Sequence, residues 1–240
     1  MEYGKLFLIP TFLGDNRPED VLPARTVDVA RSLDCFVVEE VRTARRFLSA
    51  IGLKGNIEAL EFHELNEHSP RGTAEGYVGL FKGGRNVGLM SEAGLPAVAD
   101  PGSSLVAAAH SAGIEVLPLV GPSSLMLAMM ASGMDGQSFA FCGYLPVKAE
   151  ERKARLKALE RLSAATGQTQ IFIETPYRND SLLADIVRCC HPSTVLAVAS
   201  DLTLATQTVL RSDIAGWGKK LSGGFRVGKR PSVFVLSSFK

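Results

Sequence analysis

The sequence has almost no excess charge of either sign, few aromatic residues and no long hydrophobic run. Its 240 residues carry 26 Lys and Arg against 25 Asp and Glu, a formal net charge of +1. That balance argues against a histone-like or tail-driven nucleic-acid binder and leaves room only for a local basic face. No apolar stretch approaches the roughly 18 residues of a membrane span, so no membrane association is expected. The opening MEYGKLFLIP has neither a basic n-region nor a cleavage site, which argues against a signal peptide. Four cysteines, Cys35, Cys142, Cys189 and Cys190, form no disulfide framework, and a reducing cytoplasm is the expected compartment. Cys189, Cys190 and His191 are contiguous, but adjacent side chains do not converge easily on one ion and no C-x-x-C partner exists. Buried free thiols and no metal are therefore expected. Nucleotide fingerprints are missing as well: there is no G-x-x-x-x-G-K-[ST], and GDNRPED after the first apolar run holds one glycine. An NAD or ATP enzyme of the usual kind is disfavoured.

What is present is a composition of 46% hydrophobic and 21% charged residues, enough for one large domain or two of about 100–130 residues. In the first half, the strand-like runs KLFLIP, CFVVEE, IEALEFH, VGLMSE and IEVLPLV alternate with helical stretches. These stretches are ARTVDVARSL, TARRFLSAIG, TAEGYVGLFKGG and GSSLVAAAHSAG. Strand alternating with helix is the pattern of a parallel sheet covered on both faces. The second half opens with GPSSLMLAMMASG, where Pro122 reads as just inside a helix start and Gly133 as just past its end. Its strands are FAFCGYLP, TQIFIETP, TVLAVASDL, QTVLRSD and PSVFVLSSF, with two long helices early and a short one near IAGWGKKL. Consecutive strands imply antiparallel pairing in a mixed sheet. The expected architecture is two α/β domains, residues 1–120 with a parallel sheet and residues 121–240 with a mixed one.

The helix AEERKARLKALERLSAATG admits two readings. It is a solvated amphipathic helix with Leu156, Leu159 and Leu162 turned inward, or a phosphate-facing surface carrying Arg152, Lys153, Arg155, Lys157 and Arg161.

In an open α/β sheet, ligands bind beyond the carboxyl ends of the strands. Four loops rich in Gly and Pro fit that position: residues 10–14, 91–102 and 121–124, and the turn at Pro146. Gly94 and Gly102 permit sharp turns and close backbone approach. Pro96 and Pro101 stiffen the loop before any ligand arrives. Ser123 and Ser124 bring hydroxyls to a helix start. Such a site suits a small ligand with a flat apolar ring and a carboxylate or amine, although Gly and Pro also serve plain turns.

Taken together, SEAGLPAVADPGSSLV, IEVLPLVGPSS, FAFCGYLP and IFIETPYR resemble the tetrapyrrole methylase superfamily of S-adenosylmethionine-dependent methyltransferases. Within it they look most like the branch that methylates a cytidine ribose 2′-hydroxyl of bacterial small-subunit ribosomal RNA. The motifs S-D-A-G-x-P-x-x-x-D-P-G, G-P-S, F-x-G-F-L-P and E-x-P-x-R occur in the family's order and cover most of residues 5–178. The resemblance implies two α/β domains, S-adenosylmethionine in the cleft between them, a homodimer and RNA as substrate. It gives the cofactor Pro10, Glu92, Ala93, Gly94, Leu95, Val98, Ala99, Ser123, Ser124 and Phe141, with Leu202 and Pro231 enclosing the adenosine. The chain departs from the branch at three places. Glu92 stands where the branch has Asp, PTFLGDNRP replaces P-I-G-N, and VEEVR (residues 38–42) replaces A-E-D-T-R. It is also shorter at the C-terminus than fuller members, which implies that an extra RNA-binding tail is missing.

Methyl transfer is a displacement in which the protein positions the reactants, and an oxygen nucleophile needs a proton acceptor. The candidate polar groups are Glu39, Glu40, Arg42, Glu174 and Arg178. The arginines suit phosphates and the acids suit a proton or hydroxyl, unless they simply pair with one another. Two other functions fit the same motifs: a methyltransferase for a corrin, porphyrin precursor or other small molecule, and a non-catalytic regulator that binds S-adenosylmethionine.

Overall fold

The computed structural model describes residues 2–238. The chain divides into two compact units, Met1–Ser123 and Ser124–Lys240.

In the N-terminal unit the strands are β1 (Leu6–Leu8), β2 (Cys35–Val38), β3 (Glu61–Glu64), β4 (Val87–Met90) and β5 (Val116–Pro118). They form one sheet in the order β3-β2-β4-β1-β5, with every pairing parallel. The central strands CFVV and VGLM are buried at every position, as a sheet covered on both faces requires. Alternation sorts their side chains. Phe36, Val38 and Met90 enter one core with Phe47 and Leu48; Cys35, Val37 and Leu89 enter the other with Leu105 and Ala109.

The helices of this unit are α1 (Pro18–Val21), α2 (Ala24–Arg31), α3 (Val41–Leu48), α4 (Thr73–Gly76) and α5 (Ser103–Ser111). The stretch expected as a helix from Thr73 onward yields only α4 and a 3-10 turn, Tyr77–Phe81. Gly76 and Gly79 within it weaken helix propagation by about 1 kcal/mol each relative to alanine. Helix α3 runs into a π-helical turn, Ser49–Leu53, that ends through Gly52 at φ 105°.

The C-terminal unit has β6 (Phe139–Tyr144), β7 (Thr169–Ile173), β8 (Val195–Ser200), β9 (Thr208–Asp213) and β10 (Ser232–Ser237). Their order is β6-β7-β10-β8-β9. Only β6 and β7 pair in parallel, and the rest are antiparallel, so the sheet is mixed as expected. Its helices are α6 (Ser124–Ser132), α7 (Ala149–Thr166), α8 (Asn179–Cys189) and α9 (Ile214–Ser222). Helix α6 begins at Ser124, so Pro122 precedes the helix instead of lying inside it, while Gly133 closes it at φ 65°.

Helix α7 corrects the expected facing of its side chains. Its buried stripe is Arg152, Leu156, Leu159 and Ser163, a helical period that leaves Leu162 roughly a quarter turn away. Leu162 is accordingly exposed, and Arg152 is buried. The Arg152 guanidinium donates to Asp185 Oδ2 of α8 from Nε at 2.9 Å and Nη2 at 2.5 Å, and to the Val147 carbonyl at 2.8 Å. It therefore belongs to the interior and not to a phosphate-facing surface.

Candidate cofactor and acceptor site

The N-terminal sheet has one place where neighbouring strands send their chains in opposite directions. From β1 the chain crosses β4 to reach β2, and from β4 it crosses β1 to reach β5. A crevice opens at the carboxyl ends of such a pair. The loops after β1 and β4 meet there: Thr11 N donates to the Gly94 carbonyl at 2.8 Å, and Ile9 N to the Leu89 carbonyl at 2.9 Å.

Close packing explains the glycines of these loops. Gly94 lies at φ 76°, and a Cβ on it would stand 3.1 Å from Leu13 Cδ2 and 3.6 Å from the Pro122 carbonyl. A Cβ on Gly121 would stand 2.2 Å from Pro10 Cβ, so only glycine lets the loop after β5 lie on the loop after β1. Asp100 ties the β4 loop together. Its Oδ1 accepts from Ala97 N at 3.0 Å and Gly102 N at 2.7 Å, while Ala97 and Ala99 adopt φ 65° and 64°. Left-handed alanines cost on the order of 1 kcal/mol each and persist only where surrounding contacts enforce them.

The expected residues of this unit therefore converge. Pro10 is buried directly after β1, Gly94 is buried, Leu95 is half-buried, and Glu92, Ala93, Val98 and Ala99 are exposed along the β4 loop. Half-buried Ser123 ends this unit's chain. Glu39, just past β2, accepts from Glu92 N through Oε2 at 3.0 Å and so fixes the start of the loop. Glu40 caps α3 by accepting from Arg42 N at 2.9 Å and Thr43 N at 2.6 Å. Burial opposes its charge, yet the hydrogen bonds from Thr43 and Arg42 outweigh it and lower the carboxyl's pKa. Its carboxylate occupies the position at the start of α3 where an anion would otherwise dock. Partial burial, followed by the like charges of Glu39 and Glu40, raises the Glu92 carboxyl above its ordinary value.

A cavity of about 650 Å³ opens beside Glu92, walled by Thr11, Leu13, Asn16, Thr43 and Arg46. Arg46 also borders a second groove of about 530 Å³, with Arg42 and Arg45. Thr11 and Leu13 fall in the loop 10–14 that the sequence marked, whereas Asn16, Thr43, Arg46 and Lys54, which also line this cavity, escaped the sequence reading. The signal available for Arg46 was its i, i+4 spacing from Arg42, which puts both on one helical face.

In the C-terminal unit, Ser124 is half-buried at the start of α6, and Phe141 is half-buried within β6. Leu202 is buried and Pro231 exposed, and their loops are joined by Asp201 N donating to the Pro231 carbonyl at 3.0 Å. Glu174 and Arg178 pair with each other, Nη2 lying 2.5 Å and Nε 2.9 Å from Glu174 Oε1. Of the two sequence readings, the geometry supports the structural pair: Glu174 is buried and already holds a cation.

Two groups of metal-ligand type are satisfied by protein partners. Cys35, Glu61 and His63 have ligand atoms within 4.8 Å of one another. Both Glu61 oxygens are taken, however, by Arg85 Nη1 at 2.6 Å and His63 Nε2 at 2.6 Å, and burial pushes the Cys35 thiol up to about 11. Cys189 and Cys190 have sulfurs 4.0 Å apart, while His191 Nδ1 lies 2.9 Å from Ser193 Oγ. No helix among the described residues is long and apolar enough to cross a membrane.

The donor set fits the expected cofactor. Glu39, Glu40 and Glu92 crowd negative charge at one end of the crevice, which suits a sulfonium and an ammonium. Exposed Val98 offers apolar surface, and the buried Asp100 Oδ2 has no protein donor.

Fold and site together define a two-unit α/β protein with a crevice at the switch point of its parallel sheet. The family model of the tetrapyrrole (corrin/porphyrin) methylases matches residues 17–216. The chain belongs to this family of S-adenosylmethionine-dependent methyltransferases. Among its relatives, the ribosomal RNA small subunit methyltransferase I of Escherichia coli O157:H7 is 32% identical over 206 residues, 86% of this chain and 68% of the relative. The protein of that name from Neisseria meningitidis serogroup B is 30% identical over 233 residues, 97% of this chain and 76% of the relative. Among solved structures, the methyltransferase CobJ aligns with TM-score 0.61 at 19% identity, covering 98% of this chain and 94% of its own. A Thermus thermophilus uroporphyrin-III-C-methyltransferase aligns with TM-score 0.58 at 19% identity, covering 98% and 92%. At that identity the structural likeness speaks to the fold alone.

Proposed function

We propose that this protein transfers the methyl group of S-adenosylmethionine to a ribose 2′-hydroxyl of small-subunit ribosomal RNA, as a homodimer in the cytoplasm. The observation that carries the reading is the meeting of three strand-end loops: the β4 loop is tied to the loop after β1 by Thr11 and Gly94 and to the loop after β2 by Glu39 and Glu92. The names of the relatives at 30–32% identity favour RNA as acceptor over a tetrapyrrole.

When bound, the cofactor supplies a methyl group on a sulfonium leaving group. Glu92, Ala93, Gly94 and Leu95 hold its methionine end, Leu202 and Pro231 enclose its adenosine, and Pro10, Val98, Ala99, Ser123, Ser124 and Phe141 are further cofactor contacts. Glu39 is a positioning residue, because its carboxylate is spent on the Glu92 amide. Glu92 borders the cavity, and its raised pKa makes it the better proton acceptor for the acceptor hydroxyl. Arg42 and Arg46 on the exposed side of α3 contact the RNA backbone.

Calorimetry with S-adenosylmethionine is expected to show binding that Glu92→Ala combined with Gly94→Leu abolishes. Unchanged affinity would move the cofactor elsewhere. Tritiated-methyl transfer should label one ribose of small-subunit RNA from cells lacking the gene. Label in a tetrapyrrole pool, or in nothing, would refute the acceptor while sparing the fold.

A further inference from the structure

Phe139, Tyr144 and Tyr177 are exposed aromatic side chains among the described residues, and Tyr177 is the most exposed of the three. Tyr177 is 80% exposed, so its ring is open to solvent and accessible to a stacking partner. It sits in the 3-10 turn Pro176–Arg178, directly after β7. Pro176 restricts the backbone on one side, and on the other Arg178 is anchored to buried Glu174 at 2.5 Å. The ring is therefore held out by a rigid turn.

Beside it lies the loop of residues 223–231, GGFRVGKRP, with three cations and no acid. This loop is pinned from below by the first residues of α8. Asn179 Nδ2 donates to the carbonyls of Gly228 at 3.0 Å and Arg230 at 2.8 Å. Asp180 Oδ1 accepts from Val227 N at 2.7 Å and Gly228 N at 3.3 Å. The pinned loop places Lys229 Nζ over the Tyr177 ring, 5.1 Å from its centroid, so one face carries an ammonium. Arg230 is balanced by Asp201 at 3.6 Å. Lys229 and Arg226 form no ion pair among the described residues, and Arg226 is steadied by the Phe225 carbonyl at 2.7 Å.

Strand β10 runs antiparallel to both β7 and β8, with Val233 opposite Ile173 and Ser232 opposite Ser200. The Tyr177 turn and the Lys229 loop thus stand on the same rim of the C-terminal sheet as Leu202 and Pro231, the residues proposed for the adenosine. A rigid exposed ring with an ammonium on one face and unpaired cations beside it is the recognition chemistry of an unpaired nucleotide. Its base stacks on the ring while its phosphates meet the cations.

We propose that Tyr177 and Lys229 form a stacking platform for an unpaired base of the RNA acceptor, with Arg226 and Lys229 taking the adjoining phosphates. The inference rests on RNA being the acceptor. It assigns to the C-terminal unit a base-holding surface separate from the arginines of α3.

The test uses the full chain saturated with S-adenosylmethionine, and two probes: a short fluorescent oligoadenylate and deproteinised small-subunit RNA. Tyr177→Ala is expected to weaken binding of both by about tenfold, raising KM for RNA with little change in kcat. Tyr177→Trp should preserve binding, and its indole emission should be quenched when oligoadenylate is added. Lys229→Ala should lower the slope of log affinity against log salt by about 0.7. Affinity for S-adenosylmethionine should not change in any of the three. If wild type binds RNA and Tyr177→Ala binds equally well, the platform is refuted and the RNA reading stands. If wild type neither binds nor methylates RNA, the reading falls and the platform with it. If Tyr177→Ala instead dissociates a dimer, seen by sedimentation, the ring covers a second copy of the chain and the proposal is overturned.

Discussion

Asp100 shows how much one side chain settles in the β4 loop. Its Oδ1 gathers two amides, and that knot holds Ala97 and Ala99 in left-handed conformations. Burial raises the Asp100 carboxyl above its ordinary value; the amides of Gly102 and Ala97 oppose the shift, and the charge of Glu39 adds to it. A carboxyl with a raised folded-state pKa binds its proton more tightly in the folded protein than in the unfolded one. Its contribution to stability is fully present below the ordinary carboxylate pKa and is lost as pH rises through the raised folded value. Asp100→Asn keeps an oxygen for the two amides and cannot ionise, so melting temperature measured against pH should decline less across that window. A profile identical to wild type would show that Asp100 does not titrate abnormally. The sequence marked ADPG as a stiff turn on its Gly and Pro alone. That the acid is the tie within the turn depends on backbone directions that residue types do not encode.

At the scale of elements, the contact of α7 with α8 turns on a buried charge pair. Arg152 and Asp185 are both about 5% exposed, and the arginine also reaches Ser181 Oγ at 3.2 Å. Removing Asp185 leaves the buried guanidinium without a counter-ion, and removing Arg152 leaves buried Asp185 only its longer contact with Arg188 at 3.8 Å, a loss of up to about 3–5 kcal/mol. Arg152→Ala and Asp185→Ala should each lower the urea midpoint strongly, and the double variant should lose clearly less than the sum of the two. Additive losses would mean that the pair acts as two independent surface charges. The helix itself was legible from its leucines, but the burial of Arg152 was not. Period and composition favour a solvated arginine, and only an acid arriving from α8, 33 positions later, makes burial tolerable. The mixed character of the C-terminal sheet was legible because β8 and β9 follow one another too closely for a crossover and must pair antiparallel. The short first-half helix at Thr73 was overestimated, since its apolar spacing concealed two interior glycines.

For the whole molecule, a net charge of +1 means that RNA affinity must come from a few local cations and not from a general field. The dependence on salt should accordingly be shallow. Arg46→Ala and Lys54→Ala, beside the N-terminal cavity, should each reduce the slope of log affinity against log salt by about 0.7. Binding of small-subunit RNA across a salt series measures this, and an unchanged slope would take the α3 face off the RNA path. Much at this scale was decided by the amino-acid sequence alone. Strand and helix periodicity dictated a parallel sheet followed by a mixed one, and the Gly- and Pro-rich loops with their motifs marked the family. Such features depend on neighbours along the chain, where hydrophobic spacing and backbone restrictions act directly. Which distant group an acid meets was decided only by tertiary structure. Glu39 reaches Glu92 across 53 residues, whereas Glu174 is claimed by Arg178 four residues away. Similar strand-end acids receive different roles because the order of strands in the sheet, and not their order in the chain, determines which loops meet.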